Sequence, residues 1–595
     1  MTEVITHRGP DSDGFYTEDN VGLGMRRLSI IDLETGQQPI GNEDGTLWIV
    51  FNGEIYNYVE LRPLLEARGH VLRTHSDTEC IVHLYEEVGP LCVDHLNGMF
   101  AFAIWDTRRR ELFLARDRLG IKPLFYAHQP GRRLLFGSEL KCLLQTDLSR
   151  EPDYVALHDY LSLFYVPTPR SAFKAVQKLP PGHWMRCTSE GQIEIERYWD
   201  IPFPGGFTRG SPHRETRGQE PVEELSPALR ERQECVRHIR HLLRESVRRQ
   251  LRSDVPLGVF LSGGLDSTSI VAVMSDLLDR PVRTFSIGFH EPSYNELPDA
   301  RLVAQGFHSE HHELVVDPDL VDLIPKIVLH FDEPFADYSA IPTYLVSQMA
   351  RQEVTVALSG DGGDEVFAGY QTHTAYRVAR LYRMLPRVLR DRLIAPLVQR
   401  LPTSTERISF DYMAKRFVTG ADLPFEQGHY WWKVILNEAE KRALYTPDFL
   451  RHVEQEGEGT RTRAAGPRDS YEVFRPHFER VQDAHPLNQL LYVDSKTFLL
   501  DDCLVKVDRM SMANSLEVRV PLLDHELVEW MAHVPPRWKS SGLDTKTLLR
   551  DVVRPLLPPT IVRGKKRGFT PPLPVWLKRE LRDYVQDVLS PRRIG

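Results

Sequence analysis

The sequence has no run of eighteen apolar residues, so no helix is expected to span a membrane. Its first residues, Met1 to Arg8, carry no apolar core, and no secretory leader is expected from them. Positive charge is not concentrated anywhere. The net charge is −9, and the short basic runs Arg108–Arg110 and Lys565–Arg567 read as solvated faces. Nucleic acid is therefore not an expected partner. Cysteine is scarce. Cys80, Cys92, Cys142, Cys187, Cys235 and Cys503 are scattered with no C-x-x-C pair, which excludes a thiolate zinc site and fits a reducing cytoplasm. A Walker loop, G-x-x-x-x-G-K-[ST], is also absent.

What is present is a globular composition, 41% hydrophobic and 26% charged, on 595 residues, too many for a single core. The most informative stretch is Ser262-Gly263-Gly264-Leu265-Asp266-Ser267. The short apolar run Val255–Leu261 precedes it, and Thr268–Leu278 follows with helical spacing. A buried strand, a glycine bend and a helix starting at Ser267 are predicted. Such a bend aims backbone N–H groups and a helix dipole at one point, which suits a phosphate. Asp266 would repel that phosphate unless a cation bridges them, and Mg²⁺ fits because it binds through one or two carboxylates plus phosphate oxygens. S-G-G-x-D-S resembles the pyrophosphate loop of enzymes that split ATP into AMP and pyrophosphate.

Residues 1–198 read as short strands broken by Gly, Asn and Asp, with helices at Glu60–Arg68 and Thr78–Val88. This mixture predicts α+β layers. Six motifs occur in order: His7–Asp11, Arg27–Asp32, Asn52–Asn57, Ser76–Glu79, Gly98–Phe102 and Arg116–Gly120. Together they resemble the glutaminase domain of class II amidotransferases, specifically that of the asparagine synthetase family. The resemblance implies an Ntn-type fold and a glutamine pocket contributed by Arg27, Leu28, Ser29, Ile30, Ile31, Asn52, Gly53, Glu54 and Asp77. Arg27 would pair with the substrate α-carboxylate. Glu54 and Asp77 would hold its α-ammonium, and Asn52 with the Gly53 N–H would form the oxyanion hole.

The family's nucleophile is an N-terminal cysteine tens of residues before the HRGPD motif, whereas here six residues precede His7. Thr2, Cys80 and Cys92 do not meet its requirements of spacing and a free α-amine. Truncation at the start is expected, in preference to an enzyme restricted to free ammonia, because the glutamine-contacting motifs are intact. A truncated C-terminus is expected too, since more helix usually follows in the family.

Residues 199–232 are rich in Pro, Gly, Glu and Arg and read as a linker. From 233 to 595, strand and helix alternate, which predicts a doubly wound parallel sheet with its ligand at the carboxyl ends of the strands. A second bend, Ser359-Gly360-Asp361-Gly362-Gly363-Asp364-Glu365, crowds three carboxylates after a buried strand. The resemblance implies an ATP-pyrophosphatase domain. Leu261, Ser262, Gly263, Gly264, Asp266, Ser267, Ile287, Ser359 and Gly360 would bind ATP, with Asp266 and Asp364 at the magnesium. Asp361, where the family often has Glu, would act at the acyl-adenylate and take a proton from attacking ammonia. Lys546 would contact pyrophosphate, with Lys566–Phe569 a weaker candidate. Asp508–His525 matches a further family signature and reads as packing. Residues 371–480 read as helical, Trp431-Trp432 as core, and His311-His312 as a strand start.

The expected enzyme is therefore an α/β ligase. It joins ammonia, from glutamine through an internal passage or from solution, to an adenylated carboxylate, by analogy that of aspartate. ATP and Mg²⁺ are implied, other partners are small molecules, and a homodimer is the one assembly considered. Two alternatives remain: the same chemistry on another carboxylate, such as a polysaccharide sugar acid or a small metabolite, and an inactive glutaminase kept as a scaffold.

Overall fold

The computed structural model describes residues 1–203, 231–317, 320–402, 410–457, 469–557, 559–562, 564 and 570–594. Most of the expected linker, and the Lys566–Phe569 candidate, lie outside the described residues. The N-terminal part opens with β1 (Ser12–Glu18), β2 (Val21–Arg27), β3 (Ile40–Gly41) and β4 (Leu47–Ile55). Two helices, α1 (Tyr58–Ala67) and α2 (Asp77–Val88), lead to β5 (Gly98–Asp106) and β6 (Glu111–Arg116). There follow β7 (Phe125–Gln129), β8 (Arg133–Gly137), β9 (Gln177–Lys178), β10 (His183–Thr188) and β11 (Ile193–Arg197). They form an antiparallel six-stranded sheet, β11-β10-β6-β5-β4-β3, beside the β1-β2 hairpin and a β8-β7-β9 sheet.

β5 is almost wholly apolar because both faces of its sheet are covered. Phe100, Phe102 and Ile104 pack with Leu61, Leu65, Ile81 and Leu84 of α1 and α2. Ala101, Ala103 and Trp105 alternate with them and pack with Leu23, Leu124 and Tyr126. The expected α+β layering is thus a helix layer, a central sheet and a second β layer.

In the C-terminal part β12 (Leu257–Phe260), β13 (Arg283–Gly288), β14 (Glu310–Val315), β15 (Val356–Leu358) and β16 (Glu517–Arg519) form one parallel sheet in the order β14-β13-β12-β15-β16. From β12 the chain moves outward through β13 and β14, then returns to β15 on the other side. The crevice between β12 and β15 is the topological switch point, where such sheets bind ligands. Three expectations need correction. The helix after the first bend starts at Leu265, not Ser267, because Gly264 is its extended N-cap and its carbonyl accepts from Thr268 N–H at 3.0 Å. Glu517–Arg519, read as packing, is the fifth strand. Trp431 and Trp432 are half-buried rather than core. The stretch from 371 to 480 is helical where it is described.

The two parts meet across a buried lattice of charges. Arg8 donates to both carboxylate oxygens of Asp508, at 2.7 and 3.0 Å, and to Glu139 at 3.1 Å. Arg509 pairs with Glu139 at 3.1 Å and Asp332 at 3.4 Å, and Lys122 lies 3.6 Å from Asp508. Burial works against the Asp508 charge, but Arg8 and Lys122 outweigh it and hold its carboxyl below the usual range. Removing one member of a buried pair strands the other, at about 3–5 kcal/mol. Asp508→Ala is expected to lower the melting temperature and to split the calorimetric transition into two; a single unshifted transition would contradict this role for the interface.

Candidate active site

The bend after β12 is closed by its own serines. Ser262 N–H donates to Ser267 Oγ at 3.2 Å, and the two hydroxyls lie 3.1 Å apart. The bend after β15 lies against it and begins with Ser359, whose N–H donates to Arg519 O at 2.8 Å. Between the bends sits Lys546. Its ammonium contacts Asp266 and lies 2.6 Å from Asp364 Oδ1. Lys546 is 3% exposed, and its backbone is left-handed at φ +52°. A bulky residue held in that region carries strain that its surroundings must over-determine.

A cavity of about 170 Å³ opens at these strand ends. Leu261, Ser262, Asp266, Ser267, Ile287, Ser359, Gly360, Asp361 and Asp364 line it. Gly263 and Gly264 shape the first bend without lining the cavity, and Gly263 has φ +72°. Asp361 faces the cavity and accepts from the Ser359 hydroxyl. Hard carboxylate oxygens on one wall, already gathered round one cation, are a donor set that suits Mg²⁺.

A second cavity, about 460 Å³, lies in the N-terminal part. Arg27, Leu28, Ile30, Ile31, Asn52, Gly53, Glu54 and Asp77 line it. Ser29 is not on the wall; its N–H donates to Asp11 Oδ2 at 2.8 Å. Arg27 is fixed by two backbone carbonyls, Ile31 O at 2.9 Å and Asp32 O at 2.7 Å. Burial and the neighbouring Asp77 charge push Glu54 well above the usual carboxyl range, against the pull of Arg519. Burial also raises Asp77, whose Oδ2 accepts from Ile55 N–H at 2.8 Å. An excess of buried carboxylate of this kind suits an ammonium ligand.

Sequence reasoning missed three residues. Glu365 lines the ATP-side cavity and accepts from the Tyr370 hydroxyl at 2.6 Å; burial, then the charge of Asp364, raises it to about 7. Lys506, 2.9 Å from Asp337, brings a cation to the same wall. Arg519 joins the two cavities: its side chain donates to Glu54 Oε2 at 2.8 Å, while its carbonyl holds Ser359. Glu365 stood in a recognised motif, and its burial beside Asp364 was the missing signal. Lys506 had no local pattern to mark it, and Arg519 lay inside the Asp508–His525 signature that was read as packing.

A switch-point crevice with two carboxylates on one lysine, joined through buried charges to a layered domain with its own carboxylate-lined pocket, defines an enzyme with two sites. Comparison with known proteins narrows this. The family model described as asparagine synthase matches residues 238–594, and that of a glutamine amidotransferase domain matches residues 1–199. Asparagine synthetase [glutamine-hydrolyzing] 1 of Bacillus subtilis is 35% identical over 99% of this chain and 86% of its own. Asparagine synthetase [glutamine-hydrolyzing] 3 of the same organism is 31% identical over 100% and 88%. Amidase chry2 of Gibberella zeae is 28% identical over 99% and 87%. The chain belongs to the asparagine synthetase family of glutamine-hydrolysing amidotransferases, whose ligase reaction uses ATP as a substrate.

The raised Glu365 has a measurable consequence. Between the ordinary value of 4.5 and about 7 the folded protein holds a proton that the unfolded chain has lost, so stability falls as pH rises through that window. Glu365→Gln, which still accepts from Tyr370, avoids this loss. Its stability relative to wild type is expected to improve by about 3 kcal/mol between pH 5 and pH 8. A pH-independent difference in denaturant melts would refute the assignment.

Proposed function

We propose that the chain makes asparagine from aspartate, ATP and ammonia or glutamine, releasing AMP and pyrophosphate. The observation that carries this is the pair of bends at one switch point whose carboxylates, Asp266 and Asp364, share the Lys546 ammonium. The acceptor carboxylate attacks the α-phosphorus of ATP, forming an acyl-adenylate and expelling pyrophosphate. Backbone N–H groups of the Ser262–Ser267 bend, the Leu265–Leu277 helix N-terminus and Lys546 receive the leaving charge. Asp266 and Asp364 would hold Mg²⁺, which neutralises the polyphosphate. Leu261, Ile287 and the Ser359-Gly360 backbone line the nucleotide.

Ammonia then attacks the acyl carbon, a proton passes to a carboxylate, and AMP departs. Asp361 would take that proton; Glu365, raised to about 7, lines the same cavity. In the N-terminal pocket, Arg27 would orient glutamine through its carboxylate, Glu54 and Asp77 through its ammonium, with Asn52 and Gly53 as oxyanion donors. Two domains, 1–198 and 233–595, with a connector at 199–232, would carry the two half-reactions. Six free, buried cysteines accord with a cytoplasmic setting.

A second acceptor has a specific observation in its favour: the likeness to a fungal amidase over nearly the whole chain. Fold and motif leave the acceptor open. Pyrophosphate release measured with ammonia and a panel of carboxylates separates the readings. Aspartate is expected to support turnover; release with a different acid alone would transfer the assignment to that acid, and release with none would leave a scaffold.

Two variants test the division of labour. Lys546→Ala is expected to lower ammonia-dependent turnover by about 10²–10³-fold, and Asn52→Ala to leave it intact. Equal losses in both would contradict two separate sites.

A further inference from the structure

The N-terminal part holds a cluster that neither half-reaction uses. Glu43, on the turn after β3, His70, just past α1, and His83 and Glu86, on α2, come from three separate segments. One donor atom from each lies within 4.8 Å of all the others. His70 Nδ1 is 3.1 Å from Glu43 Oε1 and 3.9 Å from Glu86 Oε2. His83 Nδ1 is 3.4 Å from Glu43 Oε2 and 3.9 Å from Glu86 Oε2. His83 is wholly buried, and among the described residues neither of its ring nitrogens makes a hydrogen bond. A buried imidazole turned towards carboxylates without hydrogen-bonding them leaves a strong polar group unsatisfied, which needs an explanation such as an ion.

We infer that these four side chains form a zinc site that clips α2 to the β3–β4 turn and the end of α1. Four donors about 2.0–2.1 Å from a tetrahedral ion lie roughly 3.3 Å apart; the pairs here are 3.1 to 3.9 Å apart and all four donors lie within 4.8 Å, so small side-chain adjustments bring them onto one ion. Two imidazoles and two carboxylates suit zinc; Mg²⁺ and Ca²⁺ prefer all-oxygen shells with more ligands.

The surroundings are built for ligation as well. The outer nitrogen of His70 faces Glu87 Oε1 at 3.1 Å, and that of His83 faces Glu79 Oε1 at 3.7 Å. The hydrogen bond from the outer nitrogen of His70 to Glu87 favours the tautomer whose Nδ1 lone pair points inward. Glu86 Oε2 accepts from Asn42 Nδ2 at 3.1 Å, and Glu43 Oε1 from Val71 N–H at 2.8 Å. The clip has a purpose in the fold. α2 begins at Asp77, on the wall of the N-terminal pocket, so anchoring its far end fixes the helix that carries that carboxylate.

The test uses the full chain, stripped with EDTA, reloaded with Zn²⁺ and dialysed. Metal analysis is expected to find one retained zinc per chain, and thermal scans a higher melting temperature with Zn²⁺ but not with Mg²⁺. Glu87→Gln removes the carboxylate behind His70, together with its pair to Arg68, without changing a proposed ligand, and is expected to weaken zinc affinity about 10- to 100-fold in competition with a chromophoric chelator. Glu86→Gln and His70→Gln should weaken it further. Because His83→Gln alters a fully buried position and can fail to fold, the exposed Glu86 and Glu87 variants decide the matter. No retained zinc, unchanged affinity in Glu86→Gln, or zinc lost on Asp266→Ala instead would each overturn the proposal.

Discussion

The structure turns on a single ammonium placed between two carboxylates. Asp266 and Asp364 stand on bends after neighbouring parallel strands, where like charge would drive the loops apart. Lys546 reaches both and holds the crevice together. The surrounding sequence gives way to make room. A Cβ on Gly360 would lie 2.7 Å from Ser267 N, and one on Gly369 would lie 1.8 Å from Asp364 Oδ1 and 2.1 Å from Lys546 Cε. The glycines are therefore needed for close approach as well as for turning. The left-handed backbone at Lys546, a strain of about 1–3 kcal/mol, persists because two ion pairs and burial fix the side chain.

This arrangement explains what could be seen beforehand. The two bends are contiguous in sequence, so their glycines and carboxylates are legible as motifs. β12, β13, β15 and β5 were legible as short apolar runs bounded by turns. β16 was not, because three residues inside a helical neighbourhood gain strand geometry only by pairing with β15. The helix start at Leu265 depends on the extended backbone of Gly264, a conformation that spacing does not report. Ser29 sat inside a recognised motif, but it spends its backbone donor on Asp11 and faces away from the pocket.

Charges that meet across hundreds of residues were the least visible. Arg8 and Asp508 carry no common pattern, yet they anchor the two parts to each other. The same holds for Glu43, His70, His83 and Glu86: they lie on three segments, with only His83 and Glu86 sharing a helix, and folding brings them together. Composition could rule out a thiolate metal site; it had no means of detecting one made from imidazoles and carboxylates.

Arg519 shows how far the two pockets are one object. It is fully buried, and every arm is engaged: Nε with Glu517 at 2.9 Å, Nη2 with Glu54 at 2.8 Å, and Nη1 with the carbonyls of Gln250 and Arg252 at 2.7 and 2.6 Å. Its own carbonyl is the acceptor that sets Ser359, the first residue of the second bend. A guanidinium saturated in this way cannot rotate without leaving several buried acceptors unpaired, each at a cost of about 1–3 kcal/mol. The Glu54 carboxylate on the wall of one pocket and the Ser359 backbone on the wall of the other are thus fixed to the same rigid residue, so the spacing between the two sites is set by strand geometry rather than by any loop.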